Sequence, residues 1–152
     1  MAMDNKDVID TLNDLIETCK DGEQGFRTCA DDVKNPELKS VFNTGARRCA
    51  EAARELRTEV QRLGGKPETT GSIAGAAHRG WVNVKAAITG KDEAGVLAEC
   101  ERGEDVAKMS YQNALKKDLP AAIKTIVQRQ YDGVLQNHDR VRNLEKAAKA
   151  KG

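Results

Sequence analysis

Residues 9–33 read IDTLNDLIETCKDGEQGFRTCADDV. Ile9, Leu12, Ile16, Cys19, Phe26, Ala30 and Val33 recur along this stretch at steps of three and four. That spacing lays one apolar stripe along an α-helix, whereas a half-buried strand would alternate every second residue. Glu23 is the only charged side chain on the stripe. A carboxylate on a buried seam needs a metal, a cation or a shared proton. This segment therefore predicts a bundle-packing helix with a polar interruption at mid-length.

Working outward, the first helix is expected over 4–33 and stops at VKNPE, because a residue preceding proline avoids the helical region. Asn35 caps a second helix over 36–63, with Pro36 at its first position and Glu37 in its first turn. Its seam is Leu38, Phe42, Gly45, Cys49, Ala52, Leu56 and Leu63, and Gly64-Gly65 ends it. After the loop KPETTGS, a shorter helix is expected over 72–89, with Trp81 packing it onto the bundle. Asp92 caps a third long helix over 92–117, with seam Leu97, Cys100, Glu104, Ala107, Tyr111 and Ala114. The turn KKDLP leads to a fourth over 119–147, with seam Ile123, Val127, Gln130, Val134, Asn137, Val141 and Leu144. The fold class is all-α, as one domain over 1–152.

Composition agrees. Of 152 residues, 32% are charged and only 3% aromatic, the profile of long amphipathic helices rather than sheets. The net charge of +1 supplies no field to draw nucleic acid or anionic lipid. The N-terminus is polar and acidic, unlike a signal peptide, and no apolar run approaches membrane-spanning length. A cytoplasmic location is expected, with no nucleic-acid or membrane partner. Cys19, Cys29, Cys49 and Cys100 lack C-x-x-C spacing, so a zinc knuckle is unsupported, and Cys19, Cys49 and Cys100, at seam positions, read as small buried hydrophobes. His78 is expected at the surface. No histidine has a cysteine or serine nucleophile at recognisable spacing, and no Gly-rich phosphate loop occurs.

Connection lengths give the topology. The first and second helices, and likewise the third and fourth, are joined too tightly to be anything but antiparallel neighbours. The stretch 64–91 is long enough to travel back along the bundle, making the second and third helices parallel. Two antiparallel pairs joined by one long crossover is ferritin-like connectivity. Glu23 lies twelve residues before Asn35 and Glu104 twelve after Asp92, so both fall in one layer. Arg47 and Arg48, with Glu51 a turn further, are expected at that depth on the second helix, and Gln130 on the fourth.

With KDGEQGF at 20–26, RLGGKP at 62–67, HRGW at 78–81 and ECERGED at 99–105, the chain resembles an uncharacterised bacterial ferritin-like four-helix-bundle family. The resemblance covers nearly the whole chain. It implies a ferritin-like fold with a long helical crossover and no established reaction. The ferritin-like di-metal pattern asks for a glutamate on the first and third helices and E-x-x-H on the second and fourth. Glu23 and Glu104 match the single glutamates, while Glu51-x-x-Arg54 and Gln130-x-x-Gly133 lack the histidines. Arginine presents only donors and cannot ligate.

Two functions follow as expectations. The first is a non-catalytic, ferritin-like bundle with a stress-associated role, a degenerate di-metal site and no cofactor. In it, Arg47 or Arg48 makes bidentate hydrogen bonds to the buried glutamates. The alternative is a di-metal carboxylate protein holding two iron or manganese ions for O2 or peroxide chemistry. Its candidate ligands are Glu23, Glu51, Glu104, Gln130 and His138. A homodimer through helix faces is the expected assembly, and the sequence names no other protein partner.

Overall fold

The computed structural model describes residues 3–67 and 92–151. Four helices form: α1 (Asn5–Asp32), α2 (Pro36–Arg62), α3 (Glu93–Leu115) and α4 (Ala121–Lys151). The expected crossover helix over 72–89, with Trp81 and His78, lies outside the described residues. No described helix is long and apolar enough to cross a membrane.

Capping fixes the helix ends. Asp4 accepts the amide of Asp7 at 2.8 Å, Asn35 that of Glu37 at 2.9 Å, and Asp92 that of Gly95 at 2.9 Å. α2 ends where Gly64 takes φ 81°, a left-handed conformation that costs glycine little. The Gly65 amide then reaches Val60 O and the Gly64 amide reaches Gln61 O, satisfying two terminal carbonyls.

α1 packs on α2 and α3, and α4 packs on α3 and more sparsely on α2. Cys29 meets Cys100, Cys19 meets Tyr111 and Thr11 meets Lys117, so α1 and α3 are antiparallel. Arg48 meets Gly133 and Glu55 meets Arg129, so α2 and α4 are antiparallel too. The last turn of α2 and the first turn of α3 therefore lie at opposite ends of the bundle, and these two helices point the same way.

The apolar interior is split in two. One cluster holds Phe26, Cys29, Ala30, Val41, Phe42, Leu97 and Cys100, with the Phe26 and Phe42 rings 6.5 Å apart. The other holds Leu12, Leu15, Ile16, Leu56, Val60, Tyr111 and Val127. Each fully buried Leu or Phe contributes about 1.5–3 kcal/mol by leaving water. Between the clusters lies a layer of smaller and polar side chains, and Cys49 packs against both.

The buried stripe of α1 is turned slightly from the expected one. Leu12, Ile16, Cys19, Phe26, Ala30 and Val33 are buried as expected, Val8, Leu15, Gly22 and Cys29 are buried beside them, and Ile9 and Glu23 lie on the shoulder. Gly22 takes the seam because a Cβ there would lie 2.9 Å from the Cys49 sulfur. Gly45 similarly faces the Phe26 ring, which a Cβ would meet at 3.1 Å. These two glycines let α1 and α2 approach closely.

Candidate cavity and buried carboxyl

The polar layer surrounds a cavity of about 740 Å³ that reaches all four helices. Gly22 and Cys19 come from α1, Arg48, Cys49 and Glu51 from α2, Glu104 and Tyr111 from α3, and Gln130, Gly133 and Asn137 from α4. The cavity sits where α2 and α4 touch only sparsely.

Glu104 is its most unusual wall. The residue is 4% exposed, and Asn137 Nδ2 donates to its Oε2 at 2.7 Å. Its Oε1 is buried and has no hydrogen-bond partner. Desolvation raises the carboxyl to about 8; the Asn137 hydrogen bond opposes this, Asp105 and Glu101 add to it, and Arg48 subtracts a little. Burial thus favours the neutral, protonated form of Glu104. Because Oε2 receives the Asn137 N–H, the proton of the neutral form belongs on Oε1.

The other candidates are placed differently. Glu23 lies within about a turn of Glu104 in depth, given the Cys29–Cys100 and Cys19–Tyr111 contacts. It turns toward its own helix, where Lys20 Nζ reaches Oε1 at 3.2 Å and Arg27 Nη2 reaches Oε2 at 2.8 Å. Desolvation raises its pKa, but the hydrogen bonds and charges of Arg27 and Lys20 outweigh this and hold the carboxyl below its usual value. Glu51 is exposed at the cavity rim. Gln130 donates to Glu55 Oε1 at 2.8 Å and accepts from Tyr111 Oη at 2.9 Å, while Cys19 Sγ lies 3.2 Å from that hydroxyl. Arg129 closes this chain on Glu55 Oε2.

Neither arginine takes the expected bidentate position. Arg47 is exposed beside Thr44, and Arg48 sends Nη1 to the Gly133 carbonyl at 2.6 Å. The reason is local: Asn137 already occupies one oxygen of Glu104, and Glu23 is served by cations one turn away on either side.

The layer therefore does not suit a pair of metal ions. Both oxygens of Glu23 are held by cations, Gln130 is spent on Tyr111 and Glu55, and Gly133 brings no side chain. Glu104 is left with one oxygen.

His138 belongs to a separate cluster between α3 and α4. It is 4% exposed, with Nε2 2.6 Å from Asp105 Oδ1 and 4.0 Å from Glu101 Oε1. Ligand atoms of Glu101, Asp105 and His138 lie within 4.8 Å of one another. A hydrogen bond with Glu145 raises Glu101 and lowers Glu145, and Lys149 Nζ pairs with Glu145 at 2.8 Å. Glu101 and Asp105, four apart on α3, share a face; that spacing was the sequence signal for this cluster. Asn137, a second polar residue on the α4 seam, was the corresponding signal for the partner of Glu104.

None of the curated proteins compared with the chain matches it. A family profile does match residues 7–117, which include all but the first two residues of α1 and the whole of α2 and α3. The chain belongs to the family described as a domain of unknown function, DUF2383.

Proposed function

We propose that this protein is a ferritin-like bundle of bacterial type that has exchanged the di-metal centre for a small-molecule binding cavity and performs no catalysis there. The observation that carries this is the cavity of about 740 Å³ lined by all four helices, with the buried Glu104 among its lining residues. Clefts of this size are typical of small-ligand sites, apolar for the most part with a few polar groups that fix orientation. The up-down-down-up order of α1 to α4 supports the ferritin-like assignment, since one long crossover produces it.

The test combines two measurements on the purified protein. After anaerobic exposure to Fe²⁺ or Mn²⁺, elemental analysis is expected to show no pair of ions per chain that depends on Glu104. Fragment screening by ligand-observed NMR is expected to find binders that compete with one another and are lost in Ala107→Phe, which fills the cavity. Two ions per chain lost in Glu104→Gln, or an absence of Ala107-dependent binders, would overturn the proposal.

A second reading, metal binding away from the layer, is favoured by Glu101, Asp105 and His138. One imidazole and two carboxylates suit a single divalent ion with open positions.

A further inference from the structure

Glu101 and Asp105 stand one turn apart on α3, and His138 faces them from α4. His138 Nε2 lies 2.6 Å from Asp105 Oδ1 and 4.0 Å from Glu101 Oε1. One hydrogen bond at Nε2 satisfies the nearer carboxylate, and the farther one lies beyond hydrogen-bond range. Among the described residues no lysine or arginine pairs with Glu101 or Asp105; Lys149 goes instead to Glu145, at 2.8 Å. Two carboxylates thus converge on one ring nitrogen without a fixed cation between them.

Exposure is graded across the three. The side chain of His138 is 6% exposed, that of Glu101 24% and that of Asp105 55%. The imidazole forms a floor and Asp105 a rim, so an ion seated between them meets water on one side only. Bonds of about 2.0–2.2 Å set neighbouring donors roughly 3 Å apart. The mutual separations here, all within 4.8 Å, reach that value by small rotations of the two carboxylate side chains.

We infer, building on the metal-binding reading of this cluster, that Glu101, Asp105 and His138 hold one divalent ion of the Mn²⁺ to Zn²⁺ series through one nitrogen and two oxygens, its remaining positions open to water on the Asp105 side. Three protein donors make an open site, where a closed structural one would have four. Glu145 is its positioning residue. It is 7% exposed, its carboxyl group meets that of Glu101, and Lys149 holds it from outside. Glu145 thereby restrains Glu101 on the face turned to α4, as a ligand's own partner does in a metal site.

Mn²⁺ is the probe, titrated into the full chain at neutral pH. Electron paramagnetic resonance should find one bound ion per chain, and spin-echo modulation should show one imidazole nitrogen bonded to it. Water-proton relaxation should report exchanging water on the bound ion, and Zn²⁺ should displace it, since affinity rises along the series. His138→Gln, with its helical spectrum intact, should lose the nitrogen modulation and weaken binding at least about tenfold. Glu145→Ala should weaken binding about tenfold with the modulation kept, and Glu145→Gln, whose amide can donate to Glu101, should restore most of the loss.

No bound Mn²⁺, or a bound ion without the nitrogen signal, overturns the inference together with the metal-binding reading. An ion held by His138 that carries no exchanging water overturns the open site and leaves that reading standing. Unchanged affinity in Glu145→Ala overturns the role of Glu145 alone.

Discussion

Asn137 Nδ2 donates to Glu104 Oε2 across 2.7 Å, joining α4 to α3 at the layer that divides the apolar interior. This one bond decides which oxygen of Glu104 is left to hold a proton, since Oε2 accepts from Asn137 and Oε1 has no partner. The cation that a buried carboxylate would require is not needed where burial keeps the proton on.

Stability should depend on pH through Glu104. Its carboxyl rises from 4.5 to about 8 on folding, so the native chain keeps a proton that the unfolded chain has lost. The associated stability is fully present below about pH 4.5 and is lost as pH rises through 8, by roughly 5 kcal/mol as an upper figure. Glu104→Gln cannot ionise. In urea unfolding it should match the wild type near pH 4.5 and exceed it at pH 9, and parallel pH profiles for the two proteins would contradict this.

Glu23 should matter far less. Its partners Lys20 and Arg27 lie on its own helix, and Arg27 is 55% exposed. Such pairs contribute about 0.3–0.5 kcal/mol each. Glu23→Gln should therefore lower stability by no more than about 1 kcal/mol, and more so at low salt. A loss as large as that from Glu104→Ala would place Glu23 in the interior after all.

The close approach of α1 and α2 is tested at their glycines. Gly22→Ala and Gly45→Ala push a methyl group against Cys49 and Phe26 respectively. Each should cost about 1–3 kcal/mol through overpacking. Cys49→Ala should relieve Gly22→Ala and leave Gly45→Ala unrelieved, read as a coupling energy in a double-mutant cycle.

The α3–α4 cluster predicts one divalent ion rather than two. Zn²⁺ or Mn²⁺ binding by calorimetry should be lost in His138→Ala and unchanged in Glu104→Gln, since His138 meets Asp105 and Glu101 and not Glu104. Loss in both variants would join the two sites into one.

The helices were legible in the sequence because their determinants are local. Asn35 with Pro36, Asp92, and Gly64-Gly65 act within one turn, and α1, α2 and α3 end within about two residues of expectation. α4 runs on to Lys151, beyond the expected end at 147, since no glycine or proline stops it earlier. The depth of Glu104 was also legible, because helix length converts directly into height. Rotation about a helix axis was not. One residue separates Gly22 from Glu23, and the tight contact with Cys49 decides between them. The partner of Glu104 was missed for a similar reason. Arginine is the stronger partner in isolation, but Arg48 is drawn to a backbone carbonyl on α4 while Asn137 faces the carboxyl from within the layer.

The most direct measurement is the ¹³C chemical shift of the Glu104 carboxyl carbon, followed through a pH titration of the folded protein. A single transition with its midpoint near 8 is expected, unchanged in Glu23→Gln. A midpoint in the ordinary carboxylate range would show Glu104 ionised at neutral pH and would contradict the account of a neutral buried acid held by Asn137.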